Sequence, residues 1–206
     1  GMSGNSASPI LPADDMAIST AAARLRAGGL VALPTETVYG LAARADSADA
    51  VAAIYRAKGR PDFNPLIVHV SSLAAAERIA LFDERARARA GASWPGRLRG
   101  GRPVPPDRGT APAVTAGLPT IALRCPAHPV MRAVLEACDL PLAAPSANRS
   151  GAVSPTEAAH VAASLAGRVD LVLDGGVCAR GIESTIVAPR DFGWSLLRPG
   201  PVTEAQ

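Results

Sequence analysis

The sequence predicts an α/β fold in which helices cover an open, mixed sheet. Short apolar runs of strand length alternate with segments of helical spacing, a pattern typical of such folds. The last strand candidates follow one another without helices between them, which indicates a mixed sheet. The 206 residues, 48% of them apolar, suffice for one substantial core. We therefore expect a single domain over residues 14–203 and a loose lead-in over residues 1–13, with Gly1 as a tag remnant.

The helices are predicted from their spacing and their ends. The first has apolar positions at helical spacing and stops at two consecutive glycines, which end a helix. The second begins at an aspartate, and the last begins at a proline, a residue that suits the first turn. The third is helical by composition and is expected as one helix or as two pieces. The predicted helices are 14–27, 46–57, 72–91, 127–138 and one that begins at Pro155.

The strands are predicted from short apolar runs that turn residues bound. Between the first run and the second helix, residues 35–40 (TETVYG) are interpreted as a turn. Residues 95–112 are rich in glycine, proline and arginine, and we interpret them as irregular. The predicted strands are 30–34, 66–70, 120–124, 141–145, 170–176, 184–189 and 194–200.

The net charge of +3 comes from one segment of the chain. Residues 96–109 hold four arginines and one aspartate, and the rest of the chain holds 17 basic and 17 acidic residues. A neutral body makes the basic isoelectric point weak support for nucleic-acid binding. Aromatic residues are only 3%, which argues against a platform that stacks bases.

The cysteines and histidines exclude several classes of protein. The three cysteines are odd in number and widely spaced, which argues against a disulfide framework or structural zinc and favours a reducing cytoplasm. The three histidines have no metal-ligand spacing, so no metal site in the chain is expected. No apolar run has the length of a membrane span and no secretory signal is visible, so we expect a cytoplasmic protein without a membrane partner.

Small polar residues and cations follow the predicted strands, where α/β proteins bind ligands. Hydroxyls, amides and glycine-rich backbone can hold phosphate oxygens. The sole lysine, Lys58, stands beside Arg60 in KGRP, and this cation pair suits a polyphosphate. Each string also has an ordinary interpretation: TETVYG as a cap or turn, KGRP as a solvated helix end, SANRSG as turn formers, and His69 as a satisfied strand histidine. No P-loop, GxGxxG or GxSxG motif is present.

Read in order, several of these strings resemble one known family. LPTETVYGLA, AKGRPDFNPLIVHV, TIALRCPAHP, PLAAPSANRSG, LVLDGG, ESTIV and LLRPG look like the YrdC/Sua5 domain of threonylcarbamoyl-AMP synthases. The resemblance runs from about residue 14 to residue 203. Each string alone is weakly specific. The match is specific because all seven strings occur in the same order as in the family.

The resemblance implies a fold and a reaction. The implied fold is a twisted, open mixed sheet of the YrdC type (DHBP synthase-like) with a concave basic cleft. The implied reaction condenses L-threonine, bicarbonate or CO2, and ATP into threonylcarbamoyl-AMP and pyrophosphate, with Mg2+ carried by ATP. A tRNA-modification complex would then accept the adenylate, and weak binding of tRNA or double-stranded RNA is a further expectation.

The resemblance also implies roles for single residues, carried over position by position. Lys58 and Arg60 would neutralise the phosphates during the reaction and are the expected catalytic residues. The residues expected to hold threonine are Thr35, His69, Arg124 and Ser184. The residues expected to hold ATP are Lys58, Arg60, Asn64, Thr120, Ser146, Asn148, Ser154 and Arg198. The sequence offers no obvious general base.

The chain departs from the family pattern at two places. After Trp94-Pro95-Gly96 the family continues with proline and an apolar strand, whereas RLRGGRPVPPDRG is not expected to form a buried strand. The chain also stops just after LRPG, so the resemblance is to the short, single-domain form. Two alternatives therefore stay open: a non-catalytic YrdC-like protein that binds RNA, and a folded paralogue made inactive by residues 96–112.

Overall fold

The structure is a computed structural model that describes residues 8–59, 64–93, 95–98 and 100–178. The predicted strands 184–189 and 194–200 lie outside the described residues. The helices are α1 Asp15–Arg26, α2 Ala48–Lys58, α3 Leu73–Ile79, α4 Glu84–Ser93, α5 Pro129–Cys138 and α6 Ala158–Leu165. The strands are β1 Ile10–Pro12, β2 Val31–Pro34, β3 Tyr39–Arg44, β4 Val68–His69, β5 Ala80–Leu81, β6 Gly96–Leu98, β7 Arg102–Pro103, β8 Leu123–Cys125, β9 Leu142–Ala143 and β10 Leu171–Asp174.

Eight of the described strands form one mixed sheet, in the order β1-β10-β2-β3-β9-β4-β8-β6. The pairs β1–β10, β10–β2 and β4–β8 are parallel. The pairs β2–β3, β3–β9, β9–β4 and β8–β6 are antiparallel. Strands β5 and β7 form a separate antiparallel pair. The mixed α/β sheet that the sequence predicted is confirmed.

Helices cover both faces of this sheet. Along β2, Val31 and Leu33 belong to the apolar cluster that contains α1 and α5, whereas Ala32 belongs to the cluster that contains α2 and α6. Successive strand residues point to opposite faces, so every residue of β2 is buried. The two clusters are built mainly from Ala, Val, Leu and Ile, in keeping with the low aromatic content.

Short polar side chains begin three of the helices, and a glycine ends one of them. The side chains of Asp14, Ser47 and Ser72 accept hydrogen bonds from backbone N–H groups in the first turns of α1, α2 and α3. Gly59 ends α2 with a φ of 97°, a left-handed conformation that glycine adopts without strain. The segment 72–91 forms two helices, and the last helix begins at Ala158 rather than at Pro155.

Three sequence interpretations were wrong. Within the supposed lead-in, Ile10–Pro12 forms β1 and pairs with β10. The supposed turn over residues 35–40 ends early, because Tyr39 and Gly40 begin β3, which crosses the sheet as far as Arg44.

The third concerns the segment expected to be irregular. Residues 96–98 form β6, an edge strand antiparallel to β8, and residues 102–103 form β7. Leu98 is 3% exposed, so this segment does reach the core.

A buried tyrosine joins β3 to the end of β10. The Tyr39 hydroxyl donates to Gly176 O at 2.8 Å and accepts from Gly175 N at 3.1 Å. Burial raises the pKa of Tyr39 to about 12, so the phenol stays protonated and keeps its donor. These bonds fix the chain that follows β10 beside the start of β3.

Candidate functional site

A cavity of about 380 Å³ opens at the edge of the sheet where β2 and β9 end and β4 begins. The sequence placed the site at the carboxyl ends of strands, which holds for Thr35 and Ser146. This prediction does not hold for β4. Because β4 is antiparallel to β9, the amino end of β4 borders the cavity. The lining residues are Thr35, Glu36, Thr37, Val38, Gly40, Pro65, Leu66, Ile67, His69, Arg97, Arg124, Ala144, Pro145 and Ser146.

Strand register aligns His69, Arg124 and Arg97 across the cavity. His69 of β4 pairs with Arg124 of β8, and Arg124 pairs with Arg97 of β6. His69 is 5% exposed, and its Nδ1 has no hydrogen-bond partner among the described residues. Burial, and then the charge of Arg124, lower the pKa of His69 to about 4. The row therefore presents a neutral imidazole and two guanidinium groups at neutral pH.

Thr35 is held rigidly within its own turn. Its hydroxyl donates to Val38 O at 2.6 Å and accepts from the backbone N–H groups of Thr37 and Val38 at 3.2 Å. The interpretation of this string as a turn and its interpretation as part of a site are therefore compatible. The turn fixes the position from which the Thr35 side chain lines the cavity.

Glu36 and Arg97 line the cavity although the sequence reasoning assigned neither of them to the site. Glu36 Oε2 accepts from Ala127 N at 2.7 Å, whereas Oε1 is buried and has no partner among the described residues. A carboxylate directly after a buried strand was the available signal for Glu36. Arg97 gave no such signal, because it stands in the segment that was expected to lack regular structure.

Lys58 is buried beside the loop that follows β9. It is 7% exposed, and its ammonium donates to Ser146 O at 2.7 Å and Asn148 O at 2.9 Å. The backbone of Ser150 also donates to Lys58 O at 2.8 Å. The interpretation of KGRP as a solvated helix end is therefore wrong for its lysine. Lys58 and the loop over residues 146–150 form one hydrogen-bonded unit.

Asn148 lies in the same loop. Its Nδ2 donates to Arg149 O at 2.7 Å and Ala152 O at 2.8 Å. Its Oδ1 is buried and has no partner among the described residues. Because Ser146 lines the cavity and Asn148 follows two residues later, the loop connects the cavity with the surroundings of Lys58.

Three of the predicted residues that the structure describes are not brought into this cavity. Thr120 and Asn64 are exposed, Ser154 is half-buried, and none of the three is among the lining residues. Arg60, Ser184 and Arg198 lie outside the described residues. The structure thus brings together Thr35, His69, Arg124 and Ser146 from the predicted set.

The described ranges show neither a metal-binding cluster nor a membrane-spanning helix. They contain no group of three or more histidine, cysteine, aspartate or glutamate side chains placed to hold a metal ion. No helix in them has the length and apolar character that crossing a membrane requires.

The chain is similar to known proteins over most of its length. The model of the Sua5/YciO/YrdC family, described as "telomere recombination", matches residues 23–200. The threonylcarbamoyl-AMP synthase of Bacillus subtilis (strain 168) is 48% identical over 197 residues, which cover 95% of this chain and 57% of that protein. The threonylcarbamoyl-AMP synthase of Pyrococcus abyssi (strain GE5 / Orsay) is 43% identical over 188 residues, covering 91% and 55%. The chain thus spans little more than half the length of these relatives.

Solved structures share the fold. The crystal structure of P. abyssi Sua5 complexed with L-threonine superposes with a TM-score of 0.74 at 40% identity, over 82% of this chain and 51% of that one. The structure of E. coli YciO gives a TM-score of 0.70 at 22% identity, over 84% and 85% of the two chains. The expected YrdC-like architecture is confirmed.

Proposed function

Because the chain belongs to the Sua5/YciO/YrdC family, we propose that it synthesises threonylcarbamoyl-AMP. The substrates are L-threonine, bicarbonate or CO2, and ATP, and the second product is pyrophosphate. The observation that carries this proposal is the cavity in which Arg124, neutral His69 and Thr35 converge. Its supporting comparison is P. abyssi Sua5, whose structure contains L-threonine.

The chemistry of the cavity suits a small β-hydroxy amino acid. The planar guanidinium of Arg124 can bind a carboxylate with two parallel hydrogen bonds. A neutral imidazole offers one donor and one acceptor, and the buried Nδ1 of His69 has no partner within the part of the chain that the structure describes. We propose that His69 and the turn at Thr35 select the hydroxyl-bearing side chain. Ser184, expected from the family resemblance to contribute here, completes the proposed threonine set.

The nucleotide is proposed to bind beside the loop that Lys58 holds. Lys58 and Arg60 would neutralise the phosphates while the carbamate oxygen attacks the α-phosphorus and pyrophosphate leaves. Lys58 also positions the loop through its two carbonyl contacts, so its role includes shaping this region. The proposed ATP-binding set is completed by Asn64, Thr120, Ser146, Asn148, Ser154 and Arg198. Mg2+ would arrive with ATP as part of that substrate.

The reaction is tested by its dependence on all three substrates. We expect the purified protein to release pyrophosphate from ATP only when threonine and bicarbonate are both present. The reaction is a nucleotidyl transfer, and its product is the mixed anhydride threonylcarbamoyl-AMP. A tRNA-modification complex would consume this product. Release of pyrophosphate without threonine, or no release at all, would contradict the proposal. RNA binding that falls steeply with salt and needs no threonine would instead favour a non-catalytic RNA-binding protein.

Threonine binding is tested by calorimetry at Arg124. We expect Arg124→Gln to weaken threonine binding by at least about thirtyfold, because it removes the partner of a carboxylate in a partly enclosed site. Arg168→Gln is a matched control, since Arg168 is exposed and outside the cavity. Equal threonine affinities of the two variants would argue against the assigned subsite.

ATP binding is tested separately at Lys58. We expect Lys58→Ala to abolish ATP binding, and Arg56→Ala, which removes an exposed cation from the same helix, to preserve it. Unchanged ATP affinity of Lys58→Ala would contradict the role assigned to this lysine.

A further inference from the structure

We propose that Glu36 binds the α-ammonium group of the amino-acid substrate and accepts the proton which that group must lose. This inference rests on the proposed function and assigns a base to it. Glu36 lines the same cavity as Thr35, His69 and Arg124. No role for this residue followed from the family resemblance.

The two oxygens of Glu36 have different surroundings. Oε2 accepts from the backbone N–H of Ala127 at 2.7 Å, which fixes the carboxylate between the end of β2 and the start of α5. Oε1 is buried and has no hydrogen-bond partner among the described residues. A purely structural role needs only the first oxygen. A buried carboxylate oxygen without a partner is costly, so the second oxygen points to a ligand that supplies a donor.

The charges of the cavity indicate what kind of donor this is. Among its described lining residues Glu36 is the only carboxylate, and it faces a site whose cations are Arg97 and Arg124. An amino acid carries one anionic and one cationic group on the same carbon. If Arg124 takes the carboxylate, the remaining group is an ammonium, which provides three donors and requires an anion. Glu36 Oε1 meets that requirement.

The reaction needs a proton acceptor at the same position. An ammonium nitrogen has no lone pair, so it must lose a proton before it can attack carbon. In the first step a proton passes from the ammonium to Glu36 Oε1, which leaves a neutral amine and a carboxylic acid. In the second step the amine nitrogen bonds to the carbon of CO2, one C–O π pair moves to oxygen, and a second proton leaves the nitrogen for solvent. The product is the threonine carbamate.

The binding claim is tested by removing the amino group from the ligand. We would titrate wild type and Glu36→Gln with L-threonine and with (2S,3R)-2,3-dihydroxybutanoate, which has a hydroxyl in place of the amine. Glutamine keeps the acceptor for Ala127 N–H and loses the charge. We expect wild type to prefer threonine by more than about tenfold, and the variant to show a preference below about twofold. An undiminished preference in the variant overturns the inference.

The proton-transfer claim is tested by turnover at saturating threonine. We expect Glu36→Gln to lower kcat by about a hundredfold or more, in the range of general-base catalysis. Glu157→Gln, at an exposed carboxylate that makes no capping hydrogen bond at the start of α6, should keep the wild-type kcat. A kcat of Glu36→Gln within about threefold of wild type overturns the catalytic role.

Folding and the proposed function are separated by two further measurements. Urea unfolding of Glu36→Gln should match wild type, since the Ala127 contact is kept; a large loss of stability would make Glu36 structural and overturn the inference. If wild type itself does not bind threonine, the proposed function fails. If wild type binds threonine and the dihydroxy acid equally, the proposed function stands and the assignment of Glu36 fails.

Discussion

The buried ammonium of Lys58 makes a quantitative prediction about stability that is independent of activity. Lys58→Met keeps most of the side-chain volume and removes the charged donor. In the native protein that donor lies 2.7 Å from Ser146 O and 2.9 Å from Asn148 O. The variant leaves both carbonyls without this partner, so the loop over residues 146–150 keeps only its backbone bond from Ser150 N to Lys58 O as a described hydrogen bond to α2.

The size of the effect follows from those two bonds. A hydrogen bond to a charged group contributes about 1.5–3 kcal/mol, so the pair contributes about 3–6 kcal/mol. Removing a buried ammonium also removes its desolvation cost, which offsets part of that loss. We therefore expect the free energy of unfolding to fall by about 3 kcal/mol.

The assay is urea unfolding followed by circular dichroism, with Arg56→Met as the matched control. Arg56 is in the same last turn of α2 and is exposed, so its removal changes the net charge and the helix-end electrostatics equally. The control is expected to lose less than about 1 kcal/mol. A loss for Lys58→Met no larger than that of the control would refute the claim that the lysine holds the loop.

Three further perturbations test other parts of the structure by unfolding measurements. For His69, the folded pKa of about 4 lies below the ordinary 6.5, so the unfolded chain binds more protons between these values and stability is lost as the pH falls through them. Between about pH 7 and about pH 4 this histidine lowers the free energy of unfolding by about 3 kcal/mol. The variant His69→Gln should lack this part of the pH dependence, and an identical slope of stability against pH would contradict the reasoning. Tyr39→Phe should cost about 1–2 kcal/mol through Gly175 and Gly176, and an unchanged midpoint would count against these bonds. Leu98→Ala should cost about 2–4 kcal/mol if β6 is part of the core, and a loss below about 0.5 kcal/mol would show that it is not.

Local signals in the sequence predicted the elements whose ends carry specific residues. Helix α2 is an example: the sequence placed its start at Asp46, and in the structure the neighbouring Ser47 caps it. Strand β3 was missed, since its first residues, Tyr39 and Gly40, were absorbed into the turn that precedes them. Strand β6 was missed because its composition is that of a loop, and only pairing with β8 makes it a strand. That pairing joins positions far apart in the chain, and the local spacing of apolar residues carries no information about such contacts.

The candidate site shows the same division between local and long-range information. The family resemblance predicted Thr35, His69 and Arg124 as threonine-binding residues, and all three line one cavity in the structure. The partners of Lys58 lie 88 and 90 residues further along the chain, so neither its burial nor its contacts could be inferred from KGRP. The contact between Ala127 N and Glu36 Oε2 likewise joins residues that are 91 positions apart in the chain.

The position of Lys58 has a consequence for chemical labelling. It is the only side-chain primary amine in the sequence, and in the folded protein it is almost inaccessible to reagents. Acylation at this position requires the ammonium to leave both carbonyls and lose its proton, which happens only while the loop is open. The rate of modification at Lys58 therefore reports how often this loop opens. It can be measured by mass spectrometry of one peptide, and no probe has to be introduced. A ligand that holds the loop closed would appear as protection of a single residue.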